Sequence, residues 1–312
     1  MSLPNAATLS KDLLQALDVL SGGVHPGFRP VHAKGVLLAG AFTPSPEASS
    51  LTRAPHANRA STPVTVRLSD SSGLPAVADN DPNLASPRGF AVRFHLAEHV
   101  HTDIIGHSHD GFPTRTPEEF LEFLRAAGAS GPGAAKPSPI EIFLGAHPKA
   151  LEFVMAPKPF PTSFAREAFF GVNAFKFTNK DGASRYGRFR IRPDAGAEYL
   201  DAPGAAAKSA NFLFDELRER IAKGPVKFNI VVLLAESGDT VDDATVHWPA
   251  DRKELQFGTL VLTSEVANNT GEQQHIIFDP IPRVDGIDPS GDPLLETRAD
   301  LYLLSGRRRR KA

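Results

Sequence analysis

The sequence predicts an α+β fold: an antiparallel β-barrel or sandwich with a few helices around it. Three observations carry that reading. Strand-like segments outnumber helix-like ones along the 312 residues. Their spacings suit hairpins better than strand–helix–strand crossovers. The composition, 41% hydrophobic and 22% charged, is that of a globular chain long enough to bury a large core.

The elements follow in order. Residues 9–21 read as an amphipathic helix, with Leu13, Leu14, Leu17 and Leu20 in the stripe and Ser10 as its N-cap. The Pro-rich run 25–30 must be extended or turn. Residues 36–41 and 65–69 read as strands, and 43–63 between them as a loop. In the strand 89–96, Phe90, Val92 and Phe94 share one face, and Ala91, Arg93 and His95 the other. Thr116-Pro117-Glu118-Glu119 opens a helix, with an N-cap, a Pro at the first position and acids in the first turn. Residues 128–139 form a loop. Residues 172–178, 187–192, 226–235 and 259–263 read as strands. Residues 211–223 form a helix with Leu213, Phe214, Leu217 and Ile221 inward, and 293–305 a final helix.

The composition also excludes chemistry. With no cysteine there are no disulfides, thiolate metal sites, iron–sulfur clusters or thiolate-ligated haem. A net charge of −2 points to no nucleic-acid partner. Lys11, Asp12 and Asp18 interrupt any secretory apolar core, and no run of about 20 apolar residues predicts a membrane helix. The expected location is the cytoplasm.

Two constellations carry candidate chemistry. Arg298 and Tyr302 lie at i and i+4 on one helix face, and a neighbouring Arg favours a phenolate able to bind iron. His32, just before an apolar strand, is a candidate proton shuttle. Taken singly, each also reads as an ordinary residue, a half-buried aromatic beside a charge and a satisfied core histidine. A rival site is the cluster His95, His99, His101, His107 and His109, whose residue type suits zinc or copper.

Taken together, the segments resemble the catalase superfamily. Val31-His32-Ala33-Lys34-Gly35 resembles its distal-histidine segment. Val66-Arg67-Leu68-Ser69 follows, then the longest match, Pro87-Arg88-Gly89-Phe90-Ala91-Val92-Arg93-Phe94. Phe175-Lys176-Phe177, Gly258-Thr259-Leu260-Val261-Leu262 and Phe278-Asp279-Pro280 continue in order towards Arg298-x-x-x-Tyr302. The matches span residues 29–309. The resemblance implies one catalase-core domain over 1–312, with an N-terminal helix in 1–22, a ligand helix and basic tail in 293–312, and a catalase-type barrel holding haem against that helix.

The resemblance also implies roles. Tyr302 is the expected axial ligand of ferric haem b, with Arg298 holding it as phenolate. His32 would move a proton between the peroxide oxygens, Val31 would pack over the haem, and Ser69 would orient His32. Arg29, Arg67 and Arg309 fall at the positions that bind the haem propionates, although Arg309 belongs to a basic run that also reads as a solvated tail. Phe112 and Phe120 fall where the family has haem-pocket phenylalanines. The chain departs from the family at His107, which stands where catalases place an asparagine. That departure implies peroxidase turnover rather than fast dismutation.

The expected function is therefore reduction of hydrogen peroxide or an organic hydroperoxide by a small organic reductant. Few oxidisable sulfurs, no Cys and two Met, suit such a role. The short chain resembles the catalase-related peroxidases, which implies a dimer or monomer without NADPH. Two alternatives keep the fold: a hydroperoxide-rearranging enzyme of the allene oxide synthase type, and a non-enzymatic haem-binding protein.

Overall fold

The computed structural model describes residues 6–312. Its first helix is α1 (Ala6–Leu20), followed by strand β1 (Gly35–Pro44) and the short helix α2 (Ala48–Leu51). Strands β2 (Thr62–Ser69), β3 (Gly89–Ala97) and β4 (Val100–His107) come next, then helices α3 (Pro117–Gly128), α4 (Pro139–Ala146) and α5 (Pro148–Met155). The short strands β5 (Phe160–Pro161), β6 (Phe169–Phe170) and β7 (Phe175–Thr178) lead to β8 (Ser184–Pro193) and β9 (Tyr199–Leu200). After α6 (Ala202–Ala206) and α7 (Phe212–Lys223) come β10 (Val226–Leu234), β11 (Glu254–Glu265), α8 (Asn269–His275), β12 (Ile287–Pro289) and α9 (Leu294–Arg309).

The main sheet runs β10-β11-β1-β2-β3-β4-β6-β8, and β8 then pairs back with β10, closing an eight-strand antiparallel barrel. Closure removes the edges that an open sheet would expose. Strands β7 and β12 extend the sheet outward from the start of β8. Alternation decides which side chains fill the barrel: in β3, Phe90, Val92 and Phe94 are buried while Ala91, Arg93 and His95 are less so. Aromatic rings fill much of the interior. Phe42 meets Phe94 edge-on at 5.1 Å, and Phe189 meets Phe177 at 5.3 Å and Phe257 at 5.7 Å.

Helices α1, α3 and α9 form a second apolar layer, in which Leu9, Leu13, Ala16 and Leu17 pack against Leu121, Leu124 and Leu301. The predicted start of α3 is present in full: Thr116 Oγ1 accepts from the Glu119 N–H, and the Glu119 carboxylate accepts from the Thr116 N–H. In α7, Leu213, Phe214 and Leu217 are buried as expected.

Several expectations need correction. Helix α1 begins at Ala6, so Ser10 lies inside it and is no N-cap; residues 1–5 of the expected N-terminal segment lie outside the described residues. Of the predicted strand 172–178 only Phe175–Thr178 forms a strand, β7, and Val172, Asn173 and Ala174 lie in the loop between it and β6. The loop 43–63 contains α2 and a 3₁₀ turn. The basic run at the C-terminus is not a solvated tail. Arg308 pairs with Asp18 of α1 at 2.6 and 2.8 Å, Arg309 is buried, and Arg310 donates to the His275 carbonyl. Among the described residues, no helix is long and apolar enough to cross a membrane.

Candidate functional site

A cavity lies between strands β2–β4 and helix α9, with about 790 Å³ of empty space that includes the open solvent at its mouth. Its walls are largely apolar, with Leu17, Val31, Phe90, Ile105 and Leu301 among the lining residues. The cavity brings together Arg29, Val31, His32, Arg67, His107, Arg298, Tyr302 and Arg309. These residues come from four separate segments of the chain.

His32 sits in the left-handed backbone region, at φ 59°, a conformation that costs a non-glycine residue about 1–3 kcal/mol. Its backbone N–H donates to the Ser71 carbonyl at 2.7 Å, and its ring Nδ1 lies 2.9 Å from the Asp70 carbonyl. A carbonyl can only accept, so Nδ1 carries the proton and Nε2 keeps a lone pair. Ser69 Oγ lies 3.3 Å from the same Nδ1. Burial first, and then the nearby Arg67, pushes this imidazole down to about 4, so it stays neutral through the physiological range. Glycine at position 89 makes room for the pair: a Cβ there would stand 2.6 Å from Ser69 Oγ and 2.8 Å from His32 Nδ1.

His107 carries the opposite tautomer. Its Nδ1 accepts the His109 backbone N–H at 3.4 Å, which leaves the proton on Nε2. Burial, followed by Arg298 and His32, lowers it to about 3. The same cavity is therefore lined by one imidazole whose remaining nitrogen accepts and one whose remaining nitrogen donates.

Opposite this pair, Arg298 Nη2 donates to Tyr302 Oη at 3.3 Å. Arg298 is itself oriented by a hydrogen bond from Nη1 to Asn173 Oδ1, and Asn173 Nδ2 donates to Asp292 at 2.7 Å. Sequence reading missed Asn173 and Asp292. Both stand in loops, where no periodicity marks them.

The third feature is a group of cations with no acidic partner among the described residues. Arg29 donates to the carbonyls of Gln273 and Ile276, both at 3.1 Å. Arg67 donates to Gln273 Oε1 at 3.0 Å and to the carbonyls of His32 and Ala33. Arg309 donates to Ser305 Oγ at 2.8 Å and to the Ile276 carbonyl at 2.9 Å, and its Nε has no partner. All these partners are neutral. Burial comes first for all three: with repulsion from Arg67 and Arg309 it pushes Arg29 well down, with repulsion from Arg309 it lowers Arg67 to about 9, and with repulsion from Arg310 and Arg308 it lowers Arg309 to about 10. Buried charges require compensation, and three guanidinium groups at one cavity call for a ligand with more than one negative charge. An apolar group bearing two carboxylates fits this arrangement, with the Tyr302 phenol available as an oxygen ligand. The donor set therefore fits haem.

Phe112 and Phe120 do not line the cavity. Their rings meet at 4.8 Å, with Phe112 against Val172, Ala244 and Leu294, and Phe120 against the helical layer that holds Leu17 and Val31. The histidine cluster is dispersed: His95 meets Thr65 Oγ1 at 2.9 Å, His99 turns the β3–β4 hairpin at φ 59°, and His109 packs on Phe153 at 4.7 Å. Among the described residues, no group of three or more histidine and acidic side chains could hold a metal ion.

Comparison with known proteins agrees with this geometry. The family model described as Catalase matches residues 27–311. A catalase-related peroxidase of Mycolicibacterium paratuberculosis is 34% identical over 296 residues, covering 93% of this chain and 92% of the relative. A catalase-related peroxidase of Synechococcus elongatus is also 34% identical, over 93% of this chain and 86% of its own length. Among solved structures, a fungal catalase superposes with a TM-score of 0.80 at 23% identity, over 90% of this chain and 59% of that one. Catalase A from Saccharomyces cerevisiae gives 0.79 at 22% identity, over 90% and 61%. The chain thus spans about three fifths of those solved catalases. With its closed barrel and with the family match over nearly all its length, the chain belongs to the catalase family.

Proposed function

We propose that this protein is a haem-dependent peroxidase, reducing hydrogen peroxide or an organic hydroperoxide with electrons from an organic donor, with weak or no dismutation. The observation that carries the reading is a set of three arginines, Arg67 and Arg309 buried and Arg29 half-buried, with no acidic partner among the described residues, at the cavity that also holds Arg298 and Tyr302. The catalase-related peroxidases among its relatives support the same reaction class. Tyr302 would ligate the iron of haem b, and Arg29, Arg67 and Arg309 would bind its propionates. When bound, the haem supplies the redox chemistry at the O–O bond.

The residues supply proton transfer and orientation. His32 Nε2 accepts the proton from one peroxide oxygen and returns it to the other, so that the departing oxygen leaves as water or alcohol. The Asp70 carbonyl and Ser69 hold the ring in the tautomer this requires. His107 Nε2–H donates a hydrogen bond to the peroxide and cannot take a proton at that atom. An imidazole in place of a smaller amide also crowds a second peroxide, which favours an organic donor over dismutation. The same reading includes a single catalase-core domain, a dimer or monomer, no NADPH, and a cytoplasmic location.

The test is the visible spectrum of the haem-reconstituted protein beside Tyr302→Phe. The expected result is a high-spin ferric spectrum with a phenolate charge-transfer band that the variant lacks. Failure of the wild type to take up haem overturns the reading.

A further inference from the structure

We propose that Tyr199 is a surface oxidation site, at which a phenolic or aromatic-amine donor too large for the cavity delivers electrons towards it. The inference rests on the peroxidase reading and concerns where the donor reacts.

Tyr199 is 41% exposed, so a large donor can reach its ring. Its hydroxyl donates to Glu167 Oε1 at 3.0 Å. Glu167 is only 2% exposed, and burial, opposed by Arg88, pushes its carboxyl up to about 7. A carboxylate so placed can take a proton near neutrality and pass it on. Burial and the adjacent Glu167 push the Tyr199 phenol up to about 12, so the hydroxyl keeps its proton until an electron leaves. A phenol hydrogen-bonded to a buried base is the arrangement that coupled loss of an electron and a proton requires.

The residues behind Tyr199 lead to the cavity. Glu167 Oε2 lies 3.9 Å from Nη1 of the fully buried Arg88. Arg88 also packs over Phe160, whose strand β5 pairs with the strand of Tyr199. Arg88 immediately precedes Gly89, which lines the cavity. Its Nε lies 3.7 Å from Asp70, and the carbonyl of Asp70 holds His32. Two side chains, Glu167 and Arg88, thus separate the Tyr199 hydroxyl from the residue at the cavity wall. Two other oxidisable rings are less suited. Trp248 is 7% exposed and lies 4.4 Å beneath the Arg188 guanidinium, a cation that opposes electron removal. Tyr302 faces Arg298 inside the cavity.

The chemistry balances. Tyr199 gives one electron inward and its Oη proton to Glu167; the resulting phenoxyl takes a hydrogen atom from the donor AH, restoring the phenol and releasing the radical A•. Two such cycles supply the two electrons and two protons that convert ROOH into ROH and water.

The test uses the haem-loaded protein, freeze-quenched after mixing with hydrogen peroxide, with electron paramagnetic resonance as the readout. A phenol coupled to dextran serves as the large donor and free phenol as the small one. Wild type and a Tyr186→Phe control should show a tyrosyl signal and oxidise both donors. Tyr199→Phe should lose that signal and the oxidation of dextran-phenol, while keeping the oxidation of free phenol and the peroxide-induced change in the haem spectrum. Glu167→Gln, which retains the phenol and removes the base, should lose the signal too. An unchanged signal or an unchanged dextran-phenol rate in Tyr199→Phe overturns the proposal and leaves the peroxidase reading standing. A wild type whose haem spectrum does not respond to peroxide overturns both.

Discussion

His32 keeps its left-handed backbone because its neighbours fix it from several sides, through the Ser71 carbonyl on its N–H and the Asp70 carbonyl on its ring. The glycines around it matter through the atoms they leave out. A Cβ at Gly35 would stand 2.3 Å from the Arg67 guanidinium, and one at Gly89 would press on both Ser69 and His32. These contacts predict two variants with one outcome. His32→Ala should retain haem and slow the reaction with peroxide by roughly 10²–10⁴, the loss expected for removing a general base. Gly89→Ala should also retain haem and slow the same step, because it displaces the imidazole without removing it. Stopped-flow absorbance at the haem band reads both. A Gly89→Ala variant that reacts at the wild-type rate would show that His32 tolerates the shift, or that its position does not govern the step.

At the scale of elements, α9 organises the site. Arg298, Tyr302, Ser305 and Arg309 follow a 4-3-4 spacing on one helix face. The helix and the Arg298–Tyr302 pairing on it were legible in the sequence from the i, i+4 step, and the pair's expected role from the resemblance to catalases. The residues that support it were not. Asn173 reaches Arg298 from a loop and is itself held by Asp292 from another, and Gln273 lies on α8, a polar helix without an apolar stripe that Asn269 and Gln273 tie to β1 by hydrogen bonds. Strand β4 escaped notice for a related reason. Its Thr102 and Asp103 are buried polar residues, and Asp103 is held by a bidentate pair with Arg93 on β3, so the apolar alternation that marks a strand is broken. The support of α9 is testable. Asn173→Ala frees Arg298 on one side and leaves Asp292 without its amide. Haem affinity should fall by roughly 10–100-fold, as for loss of other groups that orient a ligand, with the phenolate charge-transfer band displaced. Haem titration by absorbance reads both; wild-type affinity with an unmoved band would mean that Arg298 needs no support from this side.

At the scale of the whole molecule, the barrel encloses a polar group that the peroxidase reading does not use. His56, 1% exposed, sits among Phe42, Phe94 and Phe257 with no partner for either ring nitrogen among the described residues. Burial first, and then Arg59, lowers it to about 3 from its ordinary 6.5. Between these values the unfolded chain binds a proton that the folded chain does not, so this group makes stability rise with pH across that window and is unfavourable below it. His32 and His107, lowered to about 4 and 3, act in the same direction. Asp70 and Glu167, raised to about 8 and 7 by burial, act in the opposite one, because the folded state keeps protons that the unfolded acids release above pH 4. The opposing contributions overlap in mildly acid solution, so the stability curve of the wild type alone cannot separate them. The difference between wild type and His56→Leu can. Replacing an unpartnered buried imidazole with an apolar side chain should stabilise the barrel by about 1–3 kcal/mol at neutral pH. That advantage should widen by about 1.4 kcal/mol per unit as the pH falls from 6.5 towards 3. Urea unfolding followed by circular dichroism at several pH values measures the gap. A gap that stays constant with pH would mean that His56 takes up a proton as readily in the folded barrel as in the unfolded chain.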